Sequence, residues 1–131
     1  MPVPIFSSET IFIRSWPSEF KISGWFVRLQ QEGHQDSHIH PGGWLSGVVY
    51  LKTTDKNSPE GAIEFGLHGY GYPRFKEESP TFLHQPVVGD IVLFPSSLFH
   101  RTIKIKSDNE RCVIAFDLLP FKKSNFAKTF F

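Results

Sequence analysis

Three of the chain's six histidines fall within seven residues, in "HQDSHIH" at 34–40. Neutral imidazole is the commonest side-chain donor to a transition metal. On an extended strand, residues i and i+2 project to the same face. His38 and His40 can therefore aim both rings at one point, about 6–7 Å apart along the backbone. A metal about 2.0–2.1 Å from each nitrogen is feasible at that spacing. His34 and Asp36 satisfy the same rule, so spacing alone leaves two candidate pairs. A third donor has to come from elsewhere, and His100 is the best placed. It stands where the apolar run "DIVLFPSSLF" ends and "HRTIKIK" begins. A lone His-x-His pair is ordinarily hydrogen-bonded or exposed; the third histidine at a strand junction is what brings a metal into consideration.

Arg111 lies eleven residues after His100 and opens the apolar stretch "RCVIAFDLLP". Placed there, its guanidinium could point into the interior beside the metal. A buried arginine needs a carboxylate, which its planar fork grips through two parallel hydrogen bonds. That acid is either internal, with Glu64 and Asp117 as available partners, or the distal carboxylate of a small ligand.

The elements that must position these residues read as strands. Fourteen Phe, three Trp and three Tyr suit pleated, half-buried surfaces, and ten Gly with ten Pro punctuate them. Short apolar runs recur between turn signals, as in a sandwich or barrel. They are "TIFIRSW" (10–16), "WFVRLQ" (25–30) after a Gly24 turn, "GWLSGVVYLKT" (43–53) and "GAIEFGL" (61–67), the last with Ile63 and Phe65 on one face. "DIVLFPS" (90–96) reads as buried on both sides, "HRTIKIK" (100–106) alternates, and "RCVIAFDLLP" (111–120) is a further buried strand. Residues 68–86, rich in Gly and Pro, form a loop long enough to be a lid or a binding loop. In the tail, Phe121, Phe126, Phe130 and Phe131 have near-helical spacing, which fits a short helix on the sheet or a homodimer contact.

At 131 residues, with no internal repeat and no linker, the chain makes a single domain. A net charge near +1 without clustered basic residues argues against nucleic acid. No apolar run approaches the roughly 18 residues of a membrane span. The N-terminal stretch lacks the charged start and apolar core of a signal peptide. Cys112 is the only cysteine, which fits a reducing cytoplasm.

Taken together and in order, "HIHPGGWLSGVVYL", "GAIEFG", "GDIVLFPSSLFHRT" and "ERCVIAFDLLP" resemble the bacterial Fe(II)/2-oxoglutarate-dependent oxygenases. The resemblance covers about residues 25–120 and implies an all-β double-stranded β-helix, the cupin-like jelly roll. It further implies Fe(II) at the mouth of the barrel with 2-oxoglutarate as cosubstrate, and a hydroxylase that releases succinate and carbon dioxide. Carried onto this chain, the metal ligands are His38, His40 and His100, with His34 and Asp36 as the alternative pair. Arg111 falls where a basic residue holds the distal carboxylate of 2-oxoglutarate, Tyr50 where a side chain hydrogen-bonds it, and Thr102 is a further candidate. Trp44, Phe94 and Phe99 read as packing.

Two departures stand out. The common facial triad has two histidines and one carboxylate, whereas His40 occupies the acid's place. Three imidazoles leave the centre one charge more positive and also suit zinc. Val113 stands where a serine often assists the arginine. A cupin-like protein holding zinc or nickel, or a degenerate jelly roll that binds a carbohydrate or peptide through the aromatic 68–84 loop, are the competing readings. The substrate, a small molecule or a peptide, is not encoded in any motif.

Overall fold

The computed structural model describes residues 10–55, 57–66, 69 and 80–121. Among these residues one helical turn, α1 (Ile11–Arg14), precedes eight strands. These are β1 (Phe20–Leu29), β2 (Gln35–His38), β3 (Leu45–Lys52), β4 (Ile63–Gly66), β5 (Phe82–His84), β6 (Ile91–Pro95), β7 (Phe99–Thr102) and β8 (Arg111–Pro120). They form two antiparallel four-stranded sheets, ordered β1-β8-β3-β6 and β2-β7-β4-β5. This is the expected jelly roll, two facing sheets enclosing one core.

The inner faces follow from period-two alternation. Ser46, Val48 and Tyr50 on β3 point inward, as do Arg111, Val113 and Asp117 on β8. Val48, Tyr50, Ile63, Phe65, Phe94 and Val113 make the apolar cluster between the sheets, with Val27, Val92 and Leu98 packed against it. Burying each such side chain contributes about 1.5–3 kcal/mol. Phe94 thus has the packing role expected of it, and Trp44 stacks on Phe12 at 5.3 Å.

Four expectations are corrected. The segment 10–16 is not a strand: the Thr10 hydroxyl accepts the Ile13 N–H, an N-cap that nucleates the turn α1. Gly24 is no turn but lies within β1, opposite Phe116, where a Cβ would find ordinary contact distances. Residues 90–96 are not buried on both sides, because β6 closes the sheet's edge and leaves Ile91 and Leu93 exposed. They belong to an apolar outer face with Ile22, Phe26 and Ile114. The alternating run after His100 leaves the ladder at Thr102. Strands β2 and β5 were not anticipated, being only four and three residues long. Most of the 68–86 loop and the tail beyond Phe121 lie outside the described residues.

Candidate metal centre

Strands β2 and β7 bring the histidines together. Gln35 pairs with Thr102 and His38 with His100, with a register shift between the two pairs. Thr102 and His100 are two residues apart, whereas Gln35 and His38 are three apart, so β2 carries one extra residue. That bulge lets Gln35 and His38 both line the same cavity as Thr102 and His100. His40 lies two residues past the strand, its N–H donating to the Ser96 carbonyl at 2.9 Å and its carbonyl accepting the Gly43 N–H at 3.0 Å. This is the turn through Pro41–Gly42–Gly43. Glycine at 43 leaves room for Ser96, since a Cβ there would come within 2.5 Å of the Ser96 hydroxyl and displace it.

One nitrogen from each of His38, His40 and His100 lies within 4.8 Å of the others. Their tautomers are set by the opposite ring nitrogen. His38 Nδ1 donates to the Asp36 carbonyl at 2.6 Å, and His100 Nδ1 to the Leu98 carbonyl at 3.0 Å. His40 Nδ1 donates to both oxygens of the Asp117 carboxylate at 2.9 Å. In the neutral ring this places the lone pair on Nε2, free to coordinate. His40 Nε2 is buried without a hydrogen-bond partner. Burial, reinforced by the neighbouring His38 and His40, lowers the His100 pKa to about 4 against the bond to Leu98. His100 is thus a neutral donor at physiological pH.

Further along the same cavity lie Val113 and Arg111. Arg111 is 2% exposed, yet its Nε and Nη1 have no hydrogen-bond partner. Neither internal acid considered above serves it. Glu64 pairs with Arg101 at 2.9 Å, and Asp117 faces His40. The guanidinium carbon sits 5.3 Å from the centre of the Tyr50 ring. The Tyr50 hydroxyl is likewise buried and unpartnered. Burial pushes the Tyr50 phenol pKa up, and the adjacent Arg111 charge opposes the rise. Thr102 is buried on the cavity wall, its hydroxyl 3.5 Å from the Gln35 amide oxygen.

His34 and Asp36 do not join the cluster. They pair with each other at 3.2 Å on the surface, the Asp36 side chain 94% exposed. Asp36 acts on the centre only through its main-chain carbonyl. Two participants were not foreseen in their observed roles. Trp25 stacks on His40 at 5.9 Å, and Asp117 supports His40 rather than Arg111. A signal for Asp117 existed: it is the lone acid in an apolar strand and shares the inward parity of Arg111. Outside the histidines, Trp25, Ile39, Pro41 and Gly42 line an open cleft of about 350 Å³.

A jelly roll with three convergent imidazoles at one end of its cavity defines a class of metal-binding β-sandwich proteins. The profile of the 2OG-Fe(II) oxygenase family matches residues 23–117, and the chain belongs to that family. Membership implies Fe(II) and 2-oxoglutarate as cofactor and cosubstrate. Among solved structures, the chain resembles a 2OG-Fe(II) oxygenase-family oxidoreductase from Burkholderia pseudomallei. The identity is 16% and the TM-score 0.61, over 79% of this chain and 46% of that one. It also resembles a Pseudomonas putida prolyl-4-hydroxylase at 16% identity and TM-score 0.60, over 76% and 53% of the two chains. Iron-bound HygX from Streptomyces hygroscopicus aligns at 15% identity and TM-score 0.55, over 77% and 58%. The chain thus spans about half the length of these proteins. No curated protein sequence gives a match.

The residues present fit both groups. Three Nε2 lone pairs suit a divalent metal, and the unpartnered N–H groups of Arg111 with the Tyr50 hydroxyl suit a carboxylate. The enclosed space is only about 40 Å³, so a five-carbon diacid requires the lining side chains to part. Among the described residues, no helix is long and apolar enough to cross a membrane.

Proposed function

We propose that the chain is an Fe(II)- and 2-oxoglutarate-dependent hydroxylase acting on a small-molecule or peptide substrate, with release of succinate and carbon dioxide. The observation that carries this reading is Arg111, a fully buried cation with unpartnered donors in the cavity that the histidines line. A buried charge without a counter-charge is costly, and a diacid spanning from metal to Arg111 would supply it.

In this scheme His38, His40 and His100 hold the metal, which when bound supplies the redox chemistry that activates dioxygen. Arg111 grips the distal carboxylate of 2-oxoglutarate, and the Tyr50 hydroxyl donates to it. Val48, Ile63, Phe94 and Val113 keep water from the cavity. The cleft beside Trp25 receives the substrate, next to His40.

The test is succinate formation from 2-oxoglutarate with added Fe(II), alongside a thermal-shift titration of 2-oxoglutarate on the metal-loaded protein. Wild type is expected to give both signals. Arg111→Met is expected to keep its metal and weaken 2-oxoglutarate binding by about thirtyfold or more, the range for truncating one partner of a buried charge pair. Equal response of wild type and Arg111→Met to 2-oxoglutarate overturns the assignment. The donor set of three imidazoles also suits zinc, which favours one second reading, a metal-binding jelly roll without oxygenase activity. Tightly held zinc with no 2-oxoglutarate response would select it.

A further inference from the structure

We infer that Asp117 is a positioning residue for the metal, supplying from behind His40 the negative charge that a ligating carboxylate would otherwise provide. The inference rests on the reading that the three histidines hold a divalent ion.

Asp117 is 8% exposed and projects inward from β8. Both its oxygens lie 2.9 Å from His40 Nδ1. The Ser46 hydroxyl donates to Oδ1 at 2.6 Å, and the Ser96 hydroxyl stands 2.8 Å from that of Ser46. Its one ionisable partner among the described residues is His40. Among the described residues no lysine or arginine bonds to it, where a buried carboxylate would ordinarily find its counter-ion.

Such a group is expensive to bury if its neighbours are only a neutral ring and hydroxyls. The arrangement becomes favourable when a divalent cation sits on the far side of the ring. The imidazole then bridges cation and carboxylate, with its proton fixed on Nδ1 and Nε2 made a stronger donor. Two positive charges on the metal and one negative charge on Asp117 leave the same net charge as two histidines with one ligating acid. The acid has moved one ring's width outward instead of being lost. Gly43 allows this, because its missing side chain admits Ser96 and, through Ser46, the hydrogen-bonded support of Asp117.

The experiment compares Asp117→Asn and Ser46→Ala with the wild-type chain, using Co(II) alone as a spectroscopic probe of the site. Asparagine retains an oxygen for His40 Nδ1, removes the charge and turns the second oxygen into an amide donor. Asp117→Asn is expected to keep or raise the melting temperature of the metal-free protein while weakening Co(II) binding about 10–100-fold. Ser46→Ala keeps the charge and is expected to bind Co(II) far more tightly than Asp117→Asn. Co(II) affinity unchanged in Asp117→Asn overturns the inference while leaving the three-histidine reading intact. Equal loss in both variants overturns it too, as the mark of a merely structural network. Failure of wild type to bind Co(II) sinks both readings.

Discussion

His34 with Asp36 and His38 with His40 are two pairs of the same spacing, four residues apart, with opposite fates. The first pair closes on itself at the surface, at 3.2 Å. The second turns inward and meets His100. On an unbroken strand all four residues would share one face, and the two pairs would be equivalent. The extra residue between Gln35 and His38 breaks that equivalence. It puts Gln35 and His38 on the cavity wall together and leaves Asp36 outside. Which donors converge is thus chosen between rival motifs by backbone register, a choice that donor chemistry alone does not make.

The largest expected effect breaks the inward set. His38→Ala or His100→Ala should weaken Co(II) or Fe(II) binding by more than about a hundredfold, since losing even an outer-shell partner costs 10–100-fold. His34→Ala should leave affinity at the wild-type level. Titration of the purified variants with either metal measures this. A large loss in His34→Ala would reverse the comparison.

The metal-free protein sharpens it through pH. The His100 pKa is lowered to about 4, mainly by burial, so between pH 6.5 and 4 the unfolded chain binds a proton that the folded one refuses. Stability therefore falls as pH drops through that window, by roughly 3 kcal/mol. Urea melts in the presence of chelator should show this loss in wild type. His100→Gln should be less pH-dependent by about that amount.

The smallest effect concerns the outer pair. Replacing Asp36 by Ala removes an exposed ion pair of the kind worth about 0–1 kcal/mol. It also leaves the carbonyl that orients His38 in place. Asp36→Ala should change neither metal affinity nor, by more than that amount, the denaturant midpoint. The metal titration of Asp36→Ala is sufficient to exclude its side chain as a ligand.

Much of this is legible in the sequence. Alternation over 61–67 placed Ile63 and Phe65 on one face, and both are buried. The junction at His100 and the inward reading of Arg111 followed from where apolar runs begin and end. What escaped was of two kinds. Short elements such as β5 hold too few residues for a period to register. The exposure of Ile91 and Leu93 escaped because an apolar run carries no record of whether a second layer covers its outer side. Asp117 was visible as an acid in an apolar strand, yet only as one available partner for Arg111, because parity places Arg111 and Asp117 on one face without saying which end each serves. They are six residues apart, about 20 Å along a strand.

Residue types and their order by themselves determined the all-β class and a short roster of donors that included every histidine of the cluster. They did so because imidazoles, a buried cation and alternating apolar residues carry their chemistry and their period locally. The tertiary structure decided which donors meet. One bulge in β2 selected His38 and His40 over His34 and Asp36. The pairing of β3 with β8 placed Ser46 beside Asp117 and behind His40. Among the described residues Arg111 was left with no internal acid, as Glu64 faces Arg101 instead. These outcomes depend on contacts between residues far apart in the chain, and a local pattern holds no information about them.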